Sequence, residues 1–369
     1  MESDTSTEGM QETLHQVFEQ LQAQSLAATS KSKYNSTWSQ WSQWCERHNF
    51  SKWLPENPSR HSYQLALFAT YCWQFGWNNA KVGNSANTVL SEISHISWHH
   101  RRMLGYGVSL LPGHQLAITG MRRSDPPTNP KYPVTIDILK RMHELLDFEL
   151  SQHRVIWGAS VLGFFFILRK SAYLAEGSTV QSYAIRRSDI RFMGSDDEEC
   201  KNLLDVIAVV VQFRGSKSDQ FGEGTSRRLE RSGSRWCCPV LAAWFLVSHH
   251  KTLGVAPESH LCRIDSSTNL QVRDVVKVIK MAAAKAGYHP KRFGSHSLRS
   301  GGATALFNAG FDSLAVELFR RWKSDAVERY TRIGRRLTEK MAQQMITKST
   351  SARSLGVSAT PHPGSGQHE

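Results

Sequence analysis

Several things are missing from this 369-residue chain, and each absence narrows what it can be. The first thirty residues hold Glu2, Asp4, Glu8, Glu12 and Glu19 but no lysine or arginine. All 45 basic residues therefore fall from Lys31 onward with 27 of the 32 acids, which leaves that body at +18 within an overall formal charge of +13. A body so basic is suited to a polyanion, of which nucleic acid is the commonest. No C-x-x-C spacing joins the six cysteines, Cys45, Cys72, Cys200, Cys237, Cys238 and Cys262. They read as reduced thiols of an intracellular protein, without a zinc site. No basic-then-apolar leader opens the chain. The longest apolar stretch, VIWGASVLGFFFIL (155–168), is too short to span a bilayer and is fenced by Arg154 and Arg169. It reads as a buried core helix of a soluble protein with no membrane partner. There is no G-x-x-x-x-G-K-[ST] loop, no dinucleotide fingerprint and no internal repeat, so neither a nucleotide cofactor nor a small-molecule substrate is indicated.

What is present divides the chain into five parts. Residues 1–28 form an acidic N-terminal segment with Leu14, Val17, Phe18, Leu21 and Leu26 as an imperfect apolar stripe. Residues 29–120 read as a helical domain. There Trp38, Trp41 and Trp44 share one helical face and are expected in its core rather than as a base-stacking platform. Further helices are expected near 61–76, 84–104 and 112–121. Residues 121–134 make a basic, proline-rich linker, since the four prolines of GMRRSDPPTNPKYPVT (120–135) deny it regular structure. Its Arg122, Arg123 and Lys131 are candidate DNA contacts, tracking a phosphate backbone; a plain solvated tether is the other reading.

Residues 135–347 form the second domain. Helices are expected at 135–150, 155–168, 239–251, 270–286, 297–309, 313–322, 324–332 and 335–346. Three short strands are expected at 186–193, 205–213 and 225–231. The acids of GSDDEE (194–199) fall in the loop between the first two and are taken as solvated rather than as a magnesium site. Residues 348–369 read as a disordered tail. The fold class expected is mainly α with a small antiparallel β-sheet in the C-terminal domain.

Six residues of this second domain suit phosphodiester chemistry. Arg169 closes the apolar helix in FILRKS, and Lys217 sits in the turn GSKSD after the middle strand. His296 and Arg299 open the small-residue helix of SHSLRSGGATALFNAG, while Trp322 and Tyr330 lie in RRWKSDAVERYTR. Two guanidiniums present planar donor forks to the non-bridging oxygens as a pentacoordinate phosphorus forms. A tyrosine hydroxyl can make a covalent phosphoester, and a turn lysine can protonate the leaving oxygen. Such a reaction needs no cofactor or metal. Each residue alone has a plain structural reading. Arg169 could be a helix-end charge, Lys217 a surface turn lysine, Trp322 a core aromatic and Tyr330 a packed tyrosine. Their joint occurrence, in order and in one domain, favours the site.

From about residue 30 to 346 the chain resembles the tyrosine recombinases (phage-integrase family), through FILRKS, GSKSD, HSLRSGGAT and WKSDAVERY in the family's order. The wording is nearest to recombinases of eukaryotic mobile elements, such as Cryptons and the retrotransposons that carry a tyrosine recombinase. The resemblance implies a core-binding domain and a catalytic domain clamped on double-stranded DNA, with a homotetramer on a synapsed DNA pair. It implies that Arg169 and Arg299 clamp the scissile phosphate and that His296 bonds it and manages the proton of the attacking hydroxyl. Lys217 would protonate the departing 5′ oxygen, Trp322 would pack on the phosphate, and Tyr330 would be the nucleophile. The implied activity is site-specific recombination or integration, in the nucleus of a eukaryotic host or otherwise in the cytoplasm. The family often has an acid where this chain has Ala172, and its usual His-to-Tyr interval is one residue longer than Trp322 to Tyr330. A catalytically inactive, domesticated DNA-binding protein is the alternative. A type IB topoisomerase shares the chemistry but fits the two-part basic clamp less well.

Overall fold

The computed structural model describes residues 4–77, 82–127, 130–215, 224–311 and 335–347. Among them are eleven α-helices and one three-stranded antiparallel sheet, the mainly helical class that the sequence predicts. The chain divides into two compact units between Thr128 and Asn129.

The first unit holds α1 (Asp4–Gln24), α2 (Ala28–Arg47), α3 (Pro58–Phe75), α4 (Ala86–Leu104) and α5 (Pro112–Ser124). The tryptophan face of α2 is its core: Trp41 and Trp44 are buried and stack, and Phe68 of α3 meets both rings edge-on. Trp38 is only partly buried and lies against Trp53 and His99. Burying an indole requires a partner for its N–H, and Trp41 Nε1 donates to the Lys52 carbonyl at 2.8 Å. Fully buried His100 bridges α4 to the 48–57 loop. Its Nδ1 donates to Ile96 O and its Nε2 accepts from Leu54 N, each at 2.9 Å. One donor and one acceptor define a neutral imidazole, and burial holds its pKa below the usual histidine value.

The second unit is built around α7 (Ser151–Phe165), the apolar stretch, which packs on α8 (Pro239–Thr252), while α6 (Ile136–Leu145) packs on the helix over Val272–Lys285. Gly158 of α7 lies where a Cβ would strike the Leu246 side chain of α8, so a small residue sets that helix spacing. The sheet runs β1 (Ile190–Met193), β2 (Ala208–Phe213), β3 (Thr225–Glu230), with β2 in the middle. Central position explains the solid AVVV run of β2, buried on both faces. Phe192 of β1 meets Trp244 of α8 edge-on at 4.9 Å. The remaining helices are α9 (Val272–Lys285), α10 (Ser297–Asn308) and α11 (Arg335–Thr347), the last burying Met341, Ala342 and Met345.

Four expectations change. The 120–135 stretch is not wholly irregular: Gly120–Ser124 completes α5, with Arg122 and Arg123 in its last turn, where cations favour the negative helix end. The helix stops because Asp125 precedes Pro126 and takes an extended ψ of 142°. The apolar helix ends at Phe165 rather than 168, and the helix expected over 135–150 ends at Leu145. Among the GSDDEE acids, Asp197 is not merely solvated: it pairs with Arg228 of β3 at 2.5 Å. The segments 313–322, 324–332 and 348–369 lie outside the described residues.

Candidate active site

The site begins where α7 stops. Ile167 takes φ +51°, a left-handed conformation that a β-branched side chain adopts only under constraint. Its side chain is buried, and the turn is closed by Leu168 N on Gly163 O at 3.0 Å. The sharp exit carries the chain into Arg169, which stands in extended conformation before a 3₁₀ turn over Lys170–Ala172. Lys170 is committed elsewhere, with Nζ on both carboxylate oxygens of Glu176 at 2.7 and 2.8 Å. Ala172 is buried in the turn, and its carbonyl accepts from Ile185 N at 2.8 Å.

The second arginine arrives from α10. Arg299 is 7 % exposed and donates from Nη1 to the carbonyl of Ile167, two residues before Arg169. The small residues that follow explain how it gets there. A Cβ on Gly301 would collide with the Val134 carbonyl, and one on Gly302 with the Phe164 carbonyl of α7. The glycine pair therefore seats the first half of α10 directly on two backbones, with Arg299 at the bend after α7.

The N-terminal end of α10 is held from the other side. Tyr132 N donates to Arg292 O at 2.7 Å, Val134 N to Ser297 O at 2.8 Å, and Lys131 Nζ to Lys291 O at 2.6 Å. The Arg292 guanidinium lies over the Tyr132 ring, 4.2 Å from its centroid. Lys131 is thus fastened to the loop before His296, a contact that its sequence position gave no means to read. Ser297 is fully buried and accepts from Gly294 N at 3.0 Å, closing the turn that presents His296.

His296 itself is exposed at the N-cap, with Nδ1 3.4 Å from Ser295 Oγ. The placement of two cation-capable groups at a helix N-terminus opposes the macrodipole, whose positive end is there. An anion bound at that end relieves the conflict, because first-turn N–H groups and both side chains would donate to it. Arg299 is thereby anchored to the turn two residues before Arg169, and His296 stands at the start of the same helix.

No protein-family model matches the chain, and no curated protein matches it. Solved structures do. The chain is similar to an integrase from mycobacterium phage Brujita at 16 % identity, covering 93 % of this chain and 96 % of that one, with a TM-score of 0.38. It is similar to XerA recombinase at 14 % identity, covering 90 % and 98 %, with a TM-score of 0.33. It is also similar to a lambda integrase (75–356) dimer bound to a COC′ core site, at 13 % identity, covering 87 % and 97 %, with a TM-score of 0.44. Each is named as a recombinase or an integrase.

The other expected site residues are placed less fully. Lys217 lies outside the described residues, as do Trp322 and Tyr330. The chain just after β2, before Lys217, is tied down. Arg214, just past β2, donates Nε to buried Asp189 at 2.8 Å and Nη2 to Ser188 Oγ at 3.3 Å. Arg122 and Arg123 are exposed at the end of α5 in the first unit, and Lys131 belongs to the second. The sequence reading missed Arg292, although PKRFGSH places it in a basic run four residues before His296. It missed the Ile167 carbonyl altogether, since an isoleucine inside an apolar run gives no sign of a left-handed turn.

Proposed function

We propose that the chain is a tyrosine-type site-specific DNA recombinase or integrase, of the kind carried by eukaryotic mobile elements. The observation that supports the proposal is the bond from Arg299 to the Ile167 carbonyl, two residues before Arg169 in the chain, with the exposed His296 at the start of the Arg299 helix. In this reading Arg169 and Arg299 neutralise the non-bridging oxygens of one scissile phosphate, and His296 bonds the same group. The Tyr330 hydroxyl attacks phosphorus and forms a 3′-phosphotyrosyl bond. The 5′ oxygen departs, taking a proton from Lys217, while Trp322 packs on the phosphate. The ester energy is kept in the new bond, so a second 5′-hydroxyl can reverse the attack and rejoin the strands without ATP. The basic body holds double-stranded DNA, Arg122, Arg123 and Lys131 contact its backbone, and four copies act on a synapsed pair.

One observation favours a second reading. Ala172 offers Arg169 no carboxylate at the position where the family often has one, which is compatible with a DNA-binding protein that has lost the reaction. A suicide substrate with a 5′-bridging phosphorothiolate separates the two. A covalent DNA adduct on a denaturing gel with the parent protein, absent with Tyr330→Phe, is the result expected of a recombinase. Tight binding to the same DNA without any adduct would replace that reading with the inactive one.

A further inference from the structure

Helix α1 offers solvent an apolar face that its own unit does not cover. Met10, Leu14, Val17, Phe18 and Leu21 are each between 45 % and 63 % exposed. The first unit grips the helix by a different side: Gln22 Nε2 donates to the Arg102 carbonyl of α4 at 3.4 Å, and Gln22 and Ala23 are half-buried. The exposed residues follow alternate steps of four and three, Met10, Leu14, Val17, Leu21 and then Gln24, which is the seam of a two-stranded coiled coil.

The charges identify the occupant. Glu12 and Glu19 stand at the position of each heptad farthest from the seam, and Glu19 faces His15 at 3.7 Å on that outer side. The positions flanking the seam are Gln11, Thr13, Phe18 and Gln20, none of them charged. An identical helix would meet no like-charge repulsion across such a seam, although the segment as a whole is acidic. A basic partner helix would find no acid beside the seam to pair with. We infer that α1 pairs with the α1 of a second copy of this chain, burying the Met10–Leu21 face. This inference rests on α1 alone and not on the recombinase reading. Two heptads are short for a coiled coil, so the pairing is weak and reversible.

Val17 is the central seam position, so it meets its counterpart in a parallel pair and lies within about one helical turn of it in an antiparallel one. The test uses the full chain with Cys200→Ser, which removes the half-buried cysteine and leaves the five buried ones. Under mild oxidation Val17→Cys should form a disulfide-linked dimer at least roughly tenfold faster than Glu12→Cys, because only the seam position holds an elevated effective concentration. Adding Leu14→Glu with Leu21→Glu should abolish the difference. In sedimentation velocity the average mass of the parent should rise with concentration, and that of the double glutamate variant should not. Equal cross-linking at Val17 and Glu12, cross-linking that survives the glutamates, or sedimentation unchanged by them would each overturn the inference. None of these readouts depends on Tyr330 or on DNA.

Discussion

The guanidinium of Arg299 is hydrogen-bonded to the main-chain carbonyl of Ile167, and the bond links the first turn of α10 to the left-handed turn that ends α7. One donor of the planar fork is thereby spent on positioning the guanidinium.

Arg299→Lys keeps the charge but loses the fork, and an ammonium cannot bond the Ile167 carbonyl and a phosphate in the same geometry. Binding of cognate duplex should persist, while the rate of covalent adduct formation drops by roughly 10²–10³, the cost of removing one electrostatic donor from such a site. Near-parental cleavage would remove Arg299 from the active site.

Gly302→Ala places a methyl group against the Phe164 carbonyl, and the main chain cannot rotate out of the way as a side chain could. A loss of about 1–3 kcal/mol is expected, as for overpacking in a tight core, and more if α10 is displaced. Gly120→Ala is the control, because nothing lies within 4 Å of its added methyl and it sits within α5. That change should stabilise by about 0.5–1 kcal/mol. Denaturant titration of the two variants reads both signs.

His260 is buried beside His250 and Arg263, and its pKa is held down to about 4, chiefly by burial. An unfolded histidine titrates near 6.5. Between those values the unfolded chain takes up a proton that the folded chain refuses, so stability falls as the pH is lowered from about 6.5 to 4. The loss attributable to His260 is about 2–3 kcal/mol at the acid end. Thermal midpoints measured across that range should fall more steeply for the parent than for His260→Gln. Parallel curves would show that the group does not govern the slope.

Binding that rests on phosphate contacts releases counterions, so log affinity should fall linearly and steeply with log salt. Arg122→Ala and Arg123→Ala should each weaken binding about equally on all duplex sequences and lower the slope by about 1. A slope that neither substitution alters would place the backbone contacts elsewhere than at the end of α5.

Patterns with a short period were legible in the sequence. The Trp38–Trp41–Trp44 spacing predicts a core face, and two of the three rings are buried. The strand expected over 205–213 is present as β2, Ala208–Phe213. Features that depend on partners distant in the chain were not legible. Ile167 turns left-handed inside an apolar run because its side chain is buried and its carbonyl is claimed from residue 299, more than a hundred positions away. The grip of Lys131 on Lys291 spans a still longer interval. Arg122 and Arg123 became helical because the stop signal acts at Pro126, not at the first basic residue.

The segment at 131–134 has a mechanical consequence. Force drawn along the chain from the Lys131 side enters the second unit at Lys131 Nζ, Tyr132 N and Val134 N, and all three end on main-chain carbonyls between Lys291 and Ser297. Tension is therefore delivered to the turn that carries His296 before it reaches α7 or the sheet. Arg299, three residues on, is tied instead to Ile167, so the two ends of the first turn of α10 take their load from different parts of the chain.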